Sequence, residues 1–269
     1  MSRPVRALAA FCLLLCASSC APRSNTVTVA GSTAFLPFAE KLAEEFVAAH
    51  PQDAVTVQGG GSAVGIQAAL SGAAQIGMAD LVELPREAAG LLSVVVARDG
   101  IALVVHPTNP VGDLTLAQIR AVYDGSIRRW KELGGADLPI TVVSRESGSG
   151  TRSSFEAILG GLRLTQDSVI EDSNGSIRET VAHDPGAVGY VSLGLLDERI
   201  KAVRIGGVRP AAEEILAGSY VLVRPVYFLT LAARAPAASA FIDYVLGSEG
   251  QRIISDAGLL GAPAPSASR

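Results

Sequence analysis

Polar and apolar residues alternate along Thr26-Val27-Thr28-Val29-Ala30, the two-residue period of a half-buried strand. The period then lengthens. Phe35, Phe38, Leu42 and Phe46 recur at helical spacing with charges between them, which predicts an amphipathic helix over 35–46, with Pro37 tolerated in its first turn. The same change of period recurs along the chain. Strands are predicted at 54–58, 74–80, 92–97, 101–105, 139–143, 187–191 and 220–229, with Arg98-Asp99-Gly100 read as a turn between the fourth and fifth of these eight strands. Helices are predicted at 66–70, 115–123, 153–159, 177–182, 238–246 and 248–257. Strands alternating with helices define an α/β protein, and its 269 residues suffice for one large domain or two modest ones.

Three strand-to-helix junctions are made of small residues. They are Gly31-Ser32-Thr33-Ala34, Gly59-Gly60-Gly61-Ser62-Ala63-Val64-Gly65 and Ser144-Arg145-Glu146-Ser147-Gly148-Ser149-Gly150-Thr151-Arg152. The first N–H groups of a helix have no partner within it and lie at the positive end of its dipole, so such junctions suit an anion. Arg145 adds a permanently charged, planar donor fork. Taken singly, each junction is equally a serine-capped turn; Arg152 reads as a charge on the helix surface, Asn174 as a helix cap with a cleft-lining role, shared with Ser176, as the alternative, and Trp130 and Tyr190 as core.

The N-terminus changes the compartment. Arg3 and Arg6 precede an apolar run at 7–17, too short to span a bilayer. Ala17-Ser18-Ser19-Cys20 then resembles a bacterial lipoprotein signal, which implies a signal peptide at 1–19, lipidation of Cys20 and a tether at 20–25; an ordinary secretory peptide cut nearby is the alternative. All three cysteines (Cys12, Cys16, Cys20) fall in this leader, so the remainder holds neither a disulfide framework nor a thiol site. His50, His106 and His183 show no ligand spacing, and no metal or cofactor is expected. Removing Arg3 and Arg6 leaves 20 of the 22 basic residues against 26 acidic ones, a net of −6. A nucleic-acid or anionic-surface binder leans the other way.

Enzymatic readings are poorly supplied. The 144–152 stretch is not G-x-S-x-G, and His183 is the one histidine beyond it that could activate Ser147 or Ser149. No lysine follows the glycines as a nucleotide P-loop requires. No catalytic residue is assigned.

In order and spacing, Ala30-Gly31-Ser32-Thr33, the 59–65 glycine run, Ile76-Gly77-Met78-Ala79-Asp80, Asp124-Gly125-Ser126-Ile127 with Trp130-Lys131-Glu132-Leu133-Gly134-Gly135, and Arg145-Glu146-Ser147-Gly148-Ser149-Gly150-Thr151 resemble the phosphate-binding proteins of bacterial ABC transporters. The resemblance runs from about Val27 to about Gly250. It implies a two-lobed type II periplasmic-binding-protein fold with two hinge crossings and a ligand cleft between the lobes. Lobe 1 is expected at 26–104 plus 219–262, lobe 2 at 105–218, crossings near 103–107 and 218–224, and a disordered tail at 263–269.

By the same resemblance, Thr33, Ala34, Ser62, Asp80, Arg145, Ser149, Gly150 and Thr151 bind inorganic phosphate. Asp80 would accept a hydrogen bond from a protonated oxygen of phosphate and face only lone pairs on sulfate, so that unpaired, repelling groups reject the wrong anion. Two departures stand out: Ala34 occupies a position often larger in the family, and Ala79 precedes the acid where a serine is usual. The implied function is extracytoplasmic capture of phosphate by a monomer that closes its lobes and delivers the ion to a membrane permease. A sensor or carrier for another protonated oxyanion, such as arsenate, is the alternative.

Overall fold

The structure is a computed structural model that describes residues 25–262. The leader, Cys20, its tether up to residue 24 and the tail at 263–269 lie outside the described residues.

In chain order the elements are β1 (Thr26–Gly31), α1 (Leu36–Ala49), β2 (Ala54–Gln58), α2 (Ser62–Ser71), β3 (Ile76–Asp80), β4 (Leu92–Val105), β5 (Asp113–Leu114) and α3 (Leu116–Tyr123). There follow β6 (Thr141–Arg145), α4 (Gly150–Ile158), β7 (Val169–Glu171), α5 (Asn174–His183), β8 (Ala187–Ser192), β9 (Lys201–Ala202), β10 (Arg204–Ile205) and α6 (Ala212–Leu216). β11 (Val223–Thr230), α7 (Pro236–Leu246), α8 (Ser248–Asp256) and β12 (Leu260–Gly261) complete the described chain. None of its helices is long and apolar enough to cross a membrane.

The main sheet runs β2-β1-β3-β11-β4-β8-β6-β7. β1 pairs in parallel with β2 and β3, and β6 with β7 and β8; β11 and β4 lie antiparallel between these two parallel groups. β4 changes partner along its length. Its residues 92–100 pair with β11, and Ile101 to Val105 pair with β8. Two large cores flank this exchange. One gathers Val27, Phe35, Phe46, Ile76, Val96, Phe228 and Phe241; the other gathers Ile101, Tyr123, Trp130, Phe155, Tyr190 and Leu222. In the second, Phe155 stacks on Tyr190 with ring centroids 4.2 Å apart, and the Trp130 indole N–H donates to the Gly186 carbonyl at 2.9 Å. Trp130 and Tyr190 are core, as expected.

Three expectations are corrected. Arg98-Asp99-Gly100 is not a turn: it is the middle of one 14-residue strand. Asp99 stays in the strand because its carboxylate is satisfied inside the protein, accepting from Ser192 Oγ at 2.9 Å, the Leu193 N–H at 3.3 Å and Arg224 Nη2 at 2.9 Å. α2 begins at Ser62 rather than 66, so the glycine run leads directly into a helix. Asn174 is the first residue of α5 and not its cap; Ser173 Oγ caps the helix by accepting from the Ser176 N–H at 3.0 Å.

Candidate functional site

The parallel strands of both groups end at one place. Thr33 follows β1, Ser62 follows β2, Asp80 ends β3, and Arg145 ends β6 with Ser149–Thr151 just beyond it. Ligand sites of open α/β sheets lie outside the carboxyl ends of such strands, because the helices that follow turn their N–H groups there. All eight site residues expected from the sequence lie at these strand ends or just beyond them, and hydrogen bonds from Arg145 to Thr33 and from Thr151 to Asp80 join them across the gap.

α2 can approach the sheet because its glycine brings no side chain. A Cβ on Gly65 would lie 2.4 Å from the Met78 carbonyl oxygen and 2.8 Å from that of Ala30. Gly61 precedes the helix at φ 88°, a conformation that favours glycine. The N-terminus of α2 therefore presses against the N-terminus of α4: the Ala63 N–H donates to the Gly148 carbonyl at 3.1 Å. Gly150 is tighter still. A Cβ there would lie 2.2 Å from Ser62 Oγ and 2.6 Å from both Asp80 O and Oδ1. The two halves of the site are closed on one another.

Asp80 is buried and carries four hydrogen-bonded or ionic contacts through its carboxylate and backbone N–H. Oδ1 accepts from Ser62 Oγ at 2.6 Å, while the Asp80 N–H donates to that hydroxyl at 3.1 Å. Oδ2 accepts from Thr151 Oγ1 at 3.1 Å and lies 2.8 Å from Arg224 Nη2. The Asp80 carbonyl accepts from Ser154 Oγ at 3.2 Å. Asp80 is neutralised by Arg224, which also holds Asp99 at 2.9 Å. Burial pushes the Asp99 carboxyl above the usual carboxylate range, opposed by Arg224 and Ser192.

Arg145 is only 1% exposed. Its Nε and Nη2 donate to the two carboxylate oxygens of Glu146, each at 2.9 Å, a bidentate pair. Nη2 also reaches Thr33 Oγ1 at 3.2 Å and the Asp172 carbonyl at 3.0 Å. Nη1 is buried with no acceptor in the protein. Arg152 is a supporting residue: it donates to the Arg145 carbonyl at 2.8 Å and pairs with Glu156 at 2.7 Å.

The remaining donors are arranged by the helix starts. Ser149 Oγ caps α4 by accepting from the Arg152 N–H at 3.3 Å, which leaves Gly150 and Thr151 as the helix residues whose N–H groups have no carbonyl within it. Ser32 Oγ accepts from the Phe35 N–H at 3.1 Å and folds the Thr33–Ala34 junction back onto α1. Asn174 Nδ2 lies 3.5 Å from Thr151 Oγ1, and its Oδ1 accepts from the Ser192 N–H at 3.1 Å. The sequence reading missed Arg224 and Asp99. Arg224 is the one charge in the apolar run 220–229, and Asp99 stands beside Arg98 in the largely apolar run 92–105; an acid and a base each set within a long apolar run is the signal that could have found them. Among the described residues no group of three or more His, Cys, Asp or Glu side chains could hold a metal ion.

Comparison with known proteins agrees with this geometry. The model of the PBP superfamily domain matches residues 17–249. The phosphate-binding protein PstS of Bacillus subtilis is 33% identical over 242 residues, covering 88% of this chain and 81% of its own. The crystal structure of a Clostridium perfringens phosphate ABC transporter substrate-binding protein with bound phosphate is 40% identical, with a TM-score of 0.87 over 89% of this chain and all of that one. An ABC-type phosphate transport receptor from Vibrio cholerae is 34% identical, with a TM-score of 0.73 over 87% of this chain and 99% of its own. With that sequence identity over most of both chains, and the same α/β fold, the protein belongs to the PBP superfamily and, within it, to the family of phosphate ABC transporter substrate-binding proteins.

Proposed function

We propose that this protein captures inorganic phosphate between its two halves and delivers it to the permease of an ABC transporter. It is a binding protein and not an enzyme, as its relatives are transport receptors. One observation carries the reading: Arg145, buried at 1% exposure at the end of β6, keeps Nη1 without a protein acceptor while its Nη2 reaches Thr33 Oγ1 at 3.2 Å. A buried donor left unmatched is costly, and an oxyanion matches it.

The residues divide the work. Arg145, Thr33 and the N–H groups at Ala34, Ser62, Gly150 and Thr151 would donate to the ligand's oxygens, while Ser149 fixes the α4 start. Asp80, its side chain held by Ser62, Thr151 and Arg224, would accept a hydrogen bond from the ligand's protonated oxygen. The site's charged side chains, Arg145, Glu146, Asp80, Arg224 and Asp99, sum to −1, so attraction comes from helix dipoles and aimed donors. A fully ionised tetrahedral anion then gains less here than a protonated one.

The lobes we propose are residues 26–104 with 219–262 against 105–218, closing through the β4 and β11 strands that run between them; the two cores divide near these bounds, with Ile101, Leu103, Tyr220, Leu222 and Leu260 packed into the second. The protein works outside the cytoplasm. Cleavage before Cys20 and its lipidation would hold it at the membrane as a monomer; mass spectrometry of the mature N-terminus and light scattering test these two statements. The function is tested by calorimetry and thermal denaturation of the purified protein with phosphate, arsenate, sulfate and molybdate. Phosphate, and arsenate as its protonated analogue, are expected to bind and raise the melting temperature. A shift with sulfate or molybdate and none with phosphate would refute the assignment.

A further inference from the structure

Arg224 lies outside every loop that meets the ligand, yet it is the best-buried cation of the molecule's centre, at 0% exposure. It sits on β11 directly opposite Asp99 on β4, and Val226, two residues on, pairs with Asp80 on β3. β3, β11 and β4 are neighbours in the sheet, so one guanidinium reaches the carboxylates on both sides. Its Nη2 lies 2.8 Å from Asp80 Oδ2 and 2.9 Å from Asp99 Oδ2. The point of contact is also where β4 leaves β11 for β8, between Gly100 and Ile101. Just beyond it, the Ile101 N–H donates to the Leu222 carbonyl at 2.8 Å, and the Tyr220 hydroxyl donates to the Ile101 carbonyl at 2.8 Å.

We propose that Arg224 is a specificity-determining positioning residue: it supplies the counter-ion that aims the Asp80 carboxylate, and ties that carboxylate to the strand pair on which the two halves of the protein turn. The inference rests on the phosphate reading above. Ser62 and Thr151 each bond one carboxylate oxygen through a hydroxyl, which can rotate to donate or accept. Arg224 can only donate, so its guanidinium fixes Asp80 Oδ2 as an acceptor and supplies the positive charge that faces it. Without it the buried Asp80 carboxylate would face Asp99 and a bound anion with no counter-ion and could turn away from the ligand. A carboxylate no longer aimed at the ligand's proton stops rejecting an anion that carries none. The acceptor that reads the ligand's proton is thus aimed by a residue on the neighbouring strand of the central crossing. Asp99 fixes Arg224 in turn, itself held by Ser192 and the Leu193 N–H. The guanidinium, the Asp80 carboxylate and the crossing strands therefore move as one.

The experiment compares phosphate and sulfate affinities of the purified protein with those of Arg224→Met, Arg224→Gln and Arg224→Lys, each checked for folding by circular dichroism and thermal denaturation. The wild type is titrated first. Absence of phosphate binding there removes the functional reading and this inference with it; normal discrimination leaves the variants to test this inference alone. The neutral variants are expected to lose at least about tenfold of the phosphate-over-sulfate preference, with sulfate binding gained in absolute terms. Glutamine, whose amide can still bridge both carboxylates, supplies the neutral comparison if methionine does not fold. Lysine keeps the charge and is expected to restore the preference to within about threefold of wild type. A purely structural Arg224 would lower stability and leave the preference unchanged. A folded neutral variant that keeps its preference within about threefold, or a lysine variant as permissive as the neutral ones, overturns the proposal.

Discussion

Arg145 Nη2 lies 3.2 Å from Thr33 Oγ1, and 112 residues of chain separate the two. The bond crosses from the end of β6 to the junction after β1, so it exists only when the halves of the site have met. Arg145→Ala removes the buried cation and this link together. The phosphate dissociation constant is expected to rise by about a hundredfold or more, the scale of a lost charge-assisted donor pair. Thr33→Ala, which removes one neutral partner, is expected to cost about tenfold. Calorimetry at constant ionic strength measures both, and an Arg145→Ala protein that binds phosphate as tightly as wild type would remove Arg145 from the site.

Gly150 marks where the halves touch. A methyl group added there meets Ser62 Oγ at 2.2 Å and Asp80 at 2.6 Å, yet the residue is the first of α4, where alanine is a better helix former than glycine. Gly150→Ala should therefore separate closure from stability. Phosphate affinity is expected to fall by roughly 10- to 100-fold, matching about 1–3 kcal/mol of overpacking felt only in the closed form. The melting temperature without ligand is expected to stay level or rise. Small-angle scattering with phosphate gives the geometric check: the variant should remain more extended than the wild type under the same conditions.

Asp80→Asn replaces one carboxylate oxygen by an N–H₂ donor where the site holds Ser62, Thr151 and Arg224. The variant keeps an acceptor for some of these donors and places a new donor among them. Phosphate affinity is expected to fall by about tenfold, sulfate affinity to rise, and their ratio to drop by about a hundredfold. Arg224 also loses one of its two counter-ions, so the ligand-free protein should lose about 1–3 kcal/mol of stability, the cost of leaving a buried charge less well matched. Competition of sulfate against phosphate reads the first effect and denaturant unfolding the second. Unchanged rejection of sulfate would falsify the role given to Asp80.

Much of the fold was legible because its signals are local. The alternation of Val27 and Val29, the helical spacing of Phe35, Phe38, Leu42 and Phe46, and the glycines before α2 and α4 each announce an element or a close approach within a few residues. The candidate site residues could be named through motif resemblance, since each sits at or just beyond a strand end marked by small residues. Asp99 was not. Arg98-Asp99-Gly100 has the composition of a turn, and what keeps it in a strand is Arg224, 125 residues away. No local rule offsets a charge with a partner at that distance. Asn174 shows the same limit on a smaller scale. A cap reading fits its neighbours in sequence, but Ser173 takes the cap, and Asn174 turns inward to Thr151 and Ser192. What escaped sequence reading is the set of buried polar contacts that join distant strands.

Tyr190 supplies a pH test independent of the ligand. It is fully buried, stacked on Phe155 with centroids 4.2 Å apart, and its hydroxyl shares a 2.7 Å hydrogen bond with Ser144 Oγ one residue before Arg145. Burial pushes its phenol up to about 12, opposed by the bond to Ser144. An unfolded tyrosine ionises near pH 10. Because the folded value is the higher one, the neutral phenol contributes stability that is fully present below about pH 10 and lost as the pH climbs toward about 12. The difference corresponds to about 3 kcal/mol across that window. Tyr190→Phe removes the titration while keeping the ring. Unfolding free energies measured from pH 8 to pH 12 should fall more steeply in the wild type than in the variant, and, because burial also raises Tyr123 and Tyr220, tyrosinate absorbance should show one late-ionising phenol fewer in the variant than in the wild type. At neutral pH the variant should lose about 1 kcal/mol, the net worth of the bond to Ser144. Parallel pH profiles for the two proteins would show that this phenol ionises without cost to the fold, and would place Tyr190 in a wetter setting than its packing against Phe155 and Tyr123 allows.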